Sequence, residues 1–372
     1  VPFPMKLAVR GEIAEQAVRI GLESLRSTKL EVVRDVKRAY FAYYLMAVSL
    51  DVTRASLDLL ERARNSAQAR FESGLAPQED VLRAEVELRR LANDVLTLEA
   101  EVTTAKSLLN VLMNRAIEAD VPPPRPFDPE RVDWKLDELL ERALRESPEL
   151  RASREDVRQH IARQRLARLE WIPDLSIGGA WTFIGSGISP VANGGDTWSL
   201  SLGTNLPIWF QRIRAGIFEA NAEILAGSER YLDRRNALLF AVKESLVRVD
   251  TQFRRAVLLR DAILPRAEQM VAISESSYVA GRSDFLDWID NWRQYLELTL
   301  EYHRALASLE QELAGLEELA GGGLARSSTD TKSGEALESP GRDDETHDSA
   351  EPERDAGPSR DEEHRHGDHG GA

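Results

Sequence analysis

Cysteine is absent from the 372 residues, and with it go disulfide frameworks, thiolate-held zinc, iron–sulfur clusters and thiol nucleophiles. A thiol-free chain suits an oxidising periplasm and a reducing cytosol equally. No apolar run of about eighteen residues occurs, which excludes a transmembrane helix but leaves open a transmembrane barrel built from short alternating strands. Clustered Lys and Arg are missing too. Asp and Glu number 63 against 48 Lys and Arg, a formal charge of -15, so no nucleic-acid partner is expected. There is no phosphate-cradling Gly loop, no HExxH and no nucleophile elbow; neither an enzyme nor a cofactor is expected. The chain opens on Val1 with no charged-then-apolar leader behind it, so an upstream segment is expected to have been removed or left out.

What is present is helical periodicity over very long stretches. From about Glu12 to Phe71 a seven-residue repeat places Val18, Leu22, Leu25, Val32, Val36, Ala39, Tyr43, Met46, Leu50, Leu57 and Leu60 on one stripe, with Lys29 and Thr53 the polar exceptions. At 1.5 Å per residue this arm is on the order of 90 Å long. After Gly74 and Pro77 the repeat resumes as Ala84, Leu88, Leu91, Val95, Leu98, Val102, Ala105, Leu109 and Leu112. The two arms read as an antiparallel hairpin.

Val121-Pro-Pro-Pro-Arg-Pro126 ends that unit, and shorter helices run from Asp137 to about Leu169 with a boundary at Ser147-Pro148. One β-hairpin follows. Leu175, Ile177, Gly179, Trp181 and Phe183 alternate with small residues, and so do Trp198, Leu200, Leu202 and Leu206 beyond a Gly/Asn loop at Gly185–Asp196. Strands of roughly ten residues, apolar on one face and small on the other, have the pattern of a membrane hairpin. A second long helix is predicted from Ile213 to Ala280, broken only by Pro265, with a return arm from Asp284 to Leu319. The organisation is therefore 1–120 for a first unit, 121–133 for a linker, 134–319 for a second unit with its β-hairpin at about 174–209, and 320–372 for a tail. From Gly321 onward the chain holds fourteen acidic and six basic residues, and that composition predicts disorder. Its His364, His366 and His369 form a weak candidate metal-binding cluster.

The two helical turns match without a gap. Phe71-Glu-Ser-Gly74 with Asp80-Val81-Leu82 lies over Tyr278-Val-Ala-Gly281 with Asp287-Trp288-Ile289, and Pro2-Phe3 with Gly11 lies over Pro207-Ile208 with Gly216. This is an internal duplication of one unit. In that alignment the first copy lacks its own preceding helix and most of its β-hairpin, so the chain is expected to be a truncated product.

Arg70-Phe71-x-x-Gly74-Leu75, Asp80-Val81-Leu82, Tyr278-x-x-Gly281 and Asp287, supported by Ser147-Pro-Glu-Leu150, Ile172-Pro173 and Leu264-Pro265, resemble the TolC-type outer-membrane efflux proteins, including their heavy-metal branch. The resemblance covers about residues 1–319. It implies a mainly α fold with a membrane β-hairpin, in which long antiparallel helical hairpins form a periplasmic α-barrel and the strands join a trimeric β-barrel in the outer membrane of a Gram-negative-type bacterium. It also implies a homotrimer, a periplasmic adaptor protein, an inner-membrane efflux pump and contact with outer-membrane lipid.

By the same resemblance Asp287 and Asp290 form an acidic ring at the tunnel entrance, though Asp near a helix N-terminus is also favoured by the macrodipole alone. Asp80, Tyr278 and Arg282 form a latch between hairpin tips, the family's guanidinium standing one position later, where this chain has Ser283. Tyr278 packing simply as a core aromatic is the alternative. Gly74, Leu75, Ala76, Gly281 and Ser283 are the expected adaptor contacts. The rival to a passive conduit is a coiled-coil scaffold outside any membrane, for which an alternating hairpin at 174–209 has no use.

Overall fold

A computed structural model of the protein describes residues 3–183 and 196–324. Almost all of the predicted Gly/Asn loop, and the tail with His364, His366 and His369, lie outside the described residues. The elements are α1 (Pro4–Glu72), α2 (Gln78–Leu112), α3 (Leu136–Glu146), α4 (Pro148–Leu169), β1 (Leu175–Thr182), β2 (Thr197–Thr204), α5 (Phe210–Leu258), α6 (Leu264–Val279) and α7 (Phe285–Leu319).

Pro4 occupies the first turn of α1, where its missing N–H costs nothing, so the helix starts eight residues ahead of the periodicity. Between α5 and α6 the chain makes one π-helical turn, Leu259–Ile263. Pro265 has no N–H for the carbonyl four residues back and its ring crowds that carbonyl, so the helix widens a turn ahead of the proline. Both α2 and α7 have 35 residues, and their starts, Gln78 and Phe285, lie 207 positions apart. The residues that close them, Asn114 and Gly321, both have positive φ and keep the same offset.

The predicted α1–α2 hairpin forms, but α1 at 69 residues is twice as long as its partner. Only its lower half packs on α2. The upper half lies antiparallel to α4, where Gln159 donates to the Ile13 carbonyl and Arg165 pairs with Glu12. Val9, Ile13, Gln16 and Ile20 cover that contact, whereas the predicted stripe residues Val18, Leu22, Leu25 and Val32 are exposed. Two apolar stripes share this stretch of helix, and α4 takes the other one.

Midway down, four helices lie in the order α2, α1, α7, α5. Arg54 pairs with Glu99, Tyr44 Oη meets His303 Nδ1 at 3.2 Å, and Arg255 pairs with Glu301. Around Leu306 and Ala256 a small core takes in Phe127 of the linker. Farther down, Leu60, Ala67, Val81 and Leu91 from the first hairpin enclose Tyr278, Phe285, Trp288 and Trp292 from the second. The tips of both hairpins therefore share one aromatic core. At the opposite end, Asp174 just ahead of β1 accepts from Phe3 N and from the buried Lys6, tying the start of α1 to the strands.

β1 and β2 have eight residues each and pair antiparallel, with Ile177 opposite Leu202, Gly179 opposite Leu200 and Trp181 opposite Trp198. The pairing puts the apolar set of both strands on one face and the Ser/Gly/Ala set on the other.

Candidate functional site

Each helical tip closes through a glycine in the left-handed region, Gly74 at φ 69 and Gly281 at φ 71. The same two hydrogen bonds seal both: Gly74 N to Phe71 O and Leu75 N to Arg70 O, then Gly281 N to Tyr278 O and Arg282 N to Ser277 O. The following helices begin with acids, Glu79 and Asp80 in α2 and Asp287 in α7, as the positive end of the macrodipole favours.

Tyr278 is 2% exposed, with its ring edge-on to Phe285 at 5.2 Å and tilted against Trp288 at 5.5 Å. Its hydroxyl donates to Asp80 Oδ2 at 3.2 Å, joining the second hairpin to the first. Packing and hydrogen bonding therefore coexist in one residue. Burial, and then the adjacent Asp80 charge, push the phenol up to about 12. Burial also raises the Asp80 carboxyl, against the opposing pull of the phenol bond.

Arg282 is exposed, and among the described residues its side chain has no hydrogen bond or ion pair within the protomer. The guanidinium at this junction belongs to Arg70. It donates to Val279 O at 2.8 Å and to Leu75 O at 3.3 Å, and lies 4.9 Å from the Tyr278 ring centroid. One cation thus meets the last carbonyl of α6, where the helix dipole is negative, and a carbonyl of the turn that follows α1. Arg70 belongs to the Arg70-Phe71-x-x-Gly74-Leu75 motif, but periodicity gives it no role. The usable signal was a long cation four residues ahead of a helix-closing glycine.

Asp287 is exposed and has no ion pair among the described residues, whereas Asp290 accepts from Arg293 Nη1 at 2.8 Å. Arg293 also pairs with Glu87 of α2, whose side chain is 10% exposed. The two predicted ring carboxylates are therefore unequal: one is free and the other already has a counter-ion. Leu82, Val86, Phe285, Leu286 and Ile289 floor a groove of roughly 340 Å³ rimmed by Glu79, Arg83, Glu87 and Arg293. Leu75 projects from the turn at 68% exposure, Gly74 and Gly281 are exposed, and Ala76 and Ser283 are half-buried.

At the far end the strand pair presents Ile177, Trp181, Trp198, Leu200 and Leu202, each at least 65% exposed, as an unbroken apolar face. Among the described residues no helix is long and apolar enough to cross a membrane, and no group of three His, Cys, Asp or Glu is arranged to hold a metal.

Long paired helices hung from an outward-apolar strand pair, with an acidic aromatic-cored tip at the other end, define a channel-type subunit of the outer membrane. The protein-family model for outer membrane efflux proteins matches residues 6–115 and 139–322, and the chain belongs to that family. The cobalt-zinc-cadmium resistance protein CzcC of Cupriavidus metallidurans is 22% identical over 324 residues, covering 85% of this chain and 74% of that protein. Among solved structures, the outer-membrane channel CmeC of Campylobacter jejuni superposes with a TM-score of 0.74 at 15% identity over 88% of this chain and 70% of its own. The outer-membrane channel OprN gives 0.73 at 20% identity, covering 86% of this chain and 72% of its own. The protein is an outer-membrane channel subunit of an efflux system with a long periplasmic helical portion, and the scaffold alternative is set aside.

Proposed function

We propose that three copies of this chain close into one passive conduit, with strands pooled in a membrane β-barrel and helices in a periplasmic α-barrel. The tips meet a periplasmic adaptor, which links the conduit to an inner-membrane pump. Residues 1–120 and 134–319 act as two versions of one unit, joined by the 121–133 linker. The observation that most supports this is the pair of bare edges on the midway helix layer. Leu96 on α2 is 67% exposed at one edge, and Leu258 on α5 is 55% exposed at the other. Such unlike edges pair head to tail, and a ring is the arrangement that leaves neither of them bare.

In this assembly Asp287, with Asp290 as a partly neutralised second member, forms the acidic ring at the entrance. Asp80 and Tyr278 hold the tips together inside each protomer, and Arg282 serves the facing copy. Gly74, Leu75, Ala76, Gly281 and Ser283 form the adaptor contact with the neighbouring apolar groove. Small molecules and metal ions both fit a passive conduit, and the likeness to a cobalt-zinc-cadmium resistance protein makes divalent metal ions the cargo to test first. His364, His366 and His369 provide loose imidazole ligands for such ions.

The absence of native cysteine makes a direct test available. Leu96→Cys combined with Leu258→Cys, oxidised in outer membranes, should give a covalent ladder that stops at the trimer. A ladder running beyond three, or no inter-chain product at all, contradicts the ring.

A further inference from the structure

Below the strands the outward apolar face continues through Leu206, Ile208, Trp209 and Phe210, exposed at 66%, 62%, 73% and 57%. Trp171, at the end of α4, stacks on Phe210 with ring centroids 5.7 Å apart. Beside them a surface hollow of roughly 740 Å³ is lined by Ile208, Trp209, Phe210, Gln211 and Arg212. Exposed aromatic rings at the foot of a lipid-facing strand pair match the headgroup level of a bilayer.

Arginines gather beneath this belt. Arg10, Arg168, Arg212 and Arg214 are all exposed; Arg10 adds to the positive field on Asp174, and the other three form no ion pair among the described residues. Of the acids close by, Asp174 is held by Lys6 and Phe3 N, Glu12 by Arg165, and Glu170 is half-buried, while the first acid of α5, the exposed Glu219, comes two turns beyond Arg212. Helix stability does not account for the arginines. The first turns of α1 and α5 hold no acid, although α2, α3, α4 and α7 each carry at least one there. Arg212 and Arg214 instead sit at the end of α5 where the macrodipole disfavours a cation.

We infer that Arg212 and Arg214, with the Trp209–Phe210 wall, form a binding surface for the phosphate-bearing headgroup of an anionic phospholipid in the periplasm-facing leaflet. This rests on the membrane reading of the strand pair. The rings take the glycerol and upper acyl region, the guanidiniums take the phosphate oxygens in paired hydrogen bonds, and the lipid supplies the negative charge that the protein omits. The occupant is the lipid rather than free phosphate, because the cations border a continuous apolar wall.

The test is tryptophan quenching in the reconstituted protein by brominated phosphatidylglycerol and brominated phosphatidylcholine. The wild type should favour phosphatidylglycerol, and the preference should fall with added salt but not with millimolar inorganic phosphate. Arg212→Gln with Arg214→Gln should lower the preference by about twenty-five-fold, roughly five-fold for each basic residue at an anionic surface, while phosphatidylcholine still quenches. Equal quenching by both lipids in the wild type, an unchanged preference in the variant, or displacement by inorganic phosphate overturns the headgroup surface and leaves the strand assignment standing. Quenching by neither lipid overturns the membrane reading and this inference together.

Discussion

Removing the Tyr278 hydroxyl as Tyr278→Phe keeps the ring against Phe285 and Trp288 and deletes only the 3.2 Å bond to Asp80. Bonds to a charged acceptor contribute about 1.5–3 kcal/mol, and the length of this one and the partial exposure of Asp80 put it at the low end, about 1.5 kcal/mol. Arg70→Met preserves the alkyl stem but loses the bonds to Val279 O and Leu75 O and the cation over the Tyr278 ring. That sums to about 2 kcal/mol. Because Arg70 lies on the ring that carries the hydroxyl, the double variant should depart from additivity by about 0.5 kcal/mol or more. The assay is amide hydrogen exchange over residues 276–281, where a loss of about 1.4 kcal/mol in local stability speeds exchange roughly ten-fold. Amides in the middle of α1 should be unchanged. Tip exchange unaltered in both single variants would refute the idea that these two side chains hold the hairpins together.

Arg at Leu200 or Leu202 should cost about 2–4 kcal/mol at the bilayer midplane and empty the outer-membrane fraction, while Arg at Ser201 on the other face should be better tolerated; equal losses contradict the face assignment. The raised Asp80 carboxyl means that the folded state holds its proton more tightly than the unfolded chain, so acidification through the window above the ordinary aspartate value should add stability at the tip, to be lost again as pH rises. Asp80→Asn should flatten that slope in pH-dependent thermal unfolding while Tyr278 keeps its acceptor. Burial lowers the His303 imidazole, so stability should instead fall as pH drops below about 6.5 towards the folded value; His303→Gln, followed by the same melts, should remove that acid loss.

Much of this molecule is written in local chemistry that needs no partner to be read. The helix-closing glycines at 74 and 281, the acids that begin α2 and α7, and the alternation through Ile177 and Leu200 each follow from backbone or pleat geometry. The Tyr278–Asp80 pair is legible only through the family resemblance, because the duplication sets Tyr278 over Phe71 and Asp80 over Asp287 without joining the two. What sequence leaves undecided is which of two apolar stripes α4 covers on upper α1, since Val9–Ile13–Gln16–Ile20 and Val18–Leu22–Leu25–Val32 have the same period. Arg70 and the Arg293–Glu87 pair also escape periodicity, because each joins helices about two hundred positions apart. The π-turn ahead of Pro265 shows the same limit in the backbone: the proline marks a break, but the widening falls on residues that carry no signal of their own.

The claim at the centre of this account is that the protein forms an aqueous conduit whose periplasmic mouth is governed by carboxylates at the start of α7. Reversal potentials in planar bilayers, measured under a salt gradient on protein taken from outer membranes, test it most directly. Discrete, cation-selective conductance steps are expected, with most of that selectivity lost in Asp287→Ala and less of it lost in Asp290→Ala because Arg293 already offsets that charge. Inserted protein that conducts no ions, or conducts with the same selectivity in both variants, would contradict it.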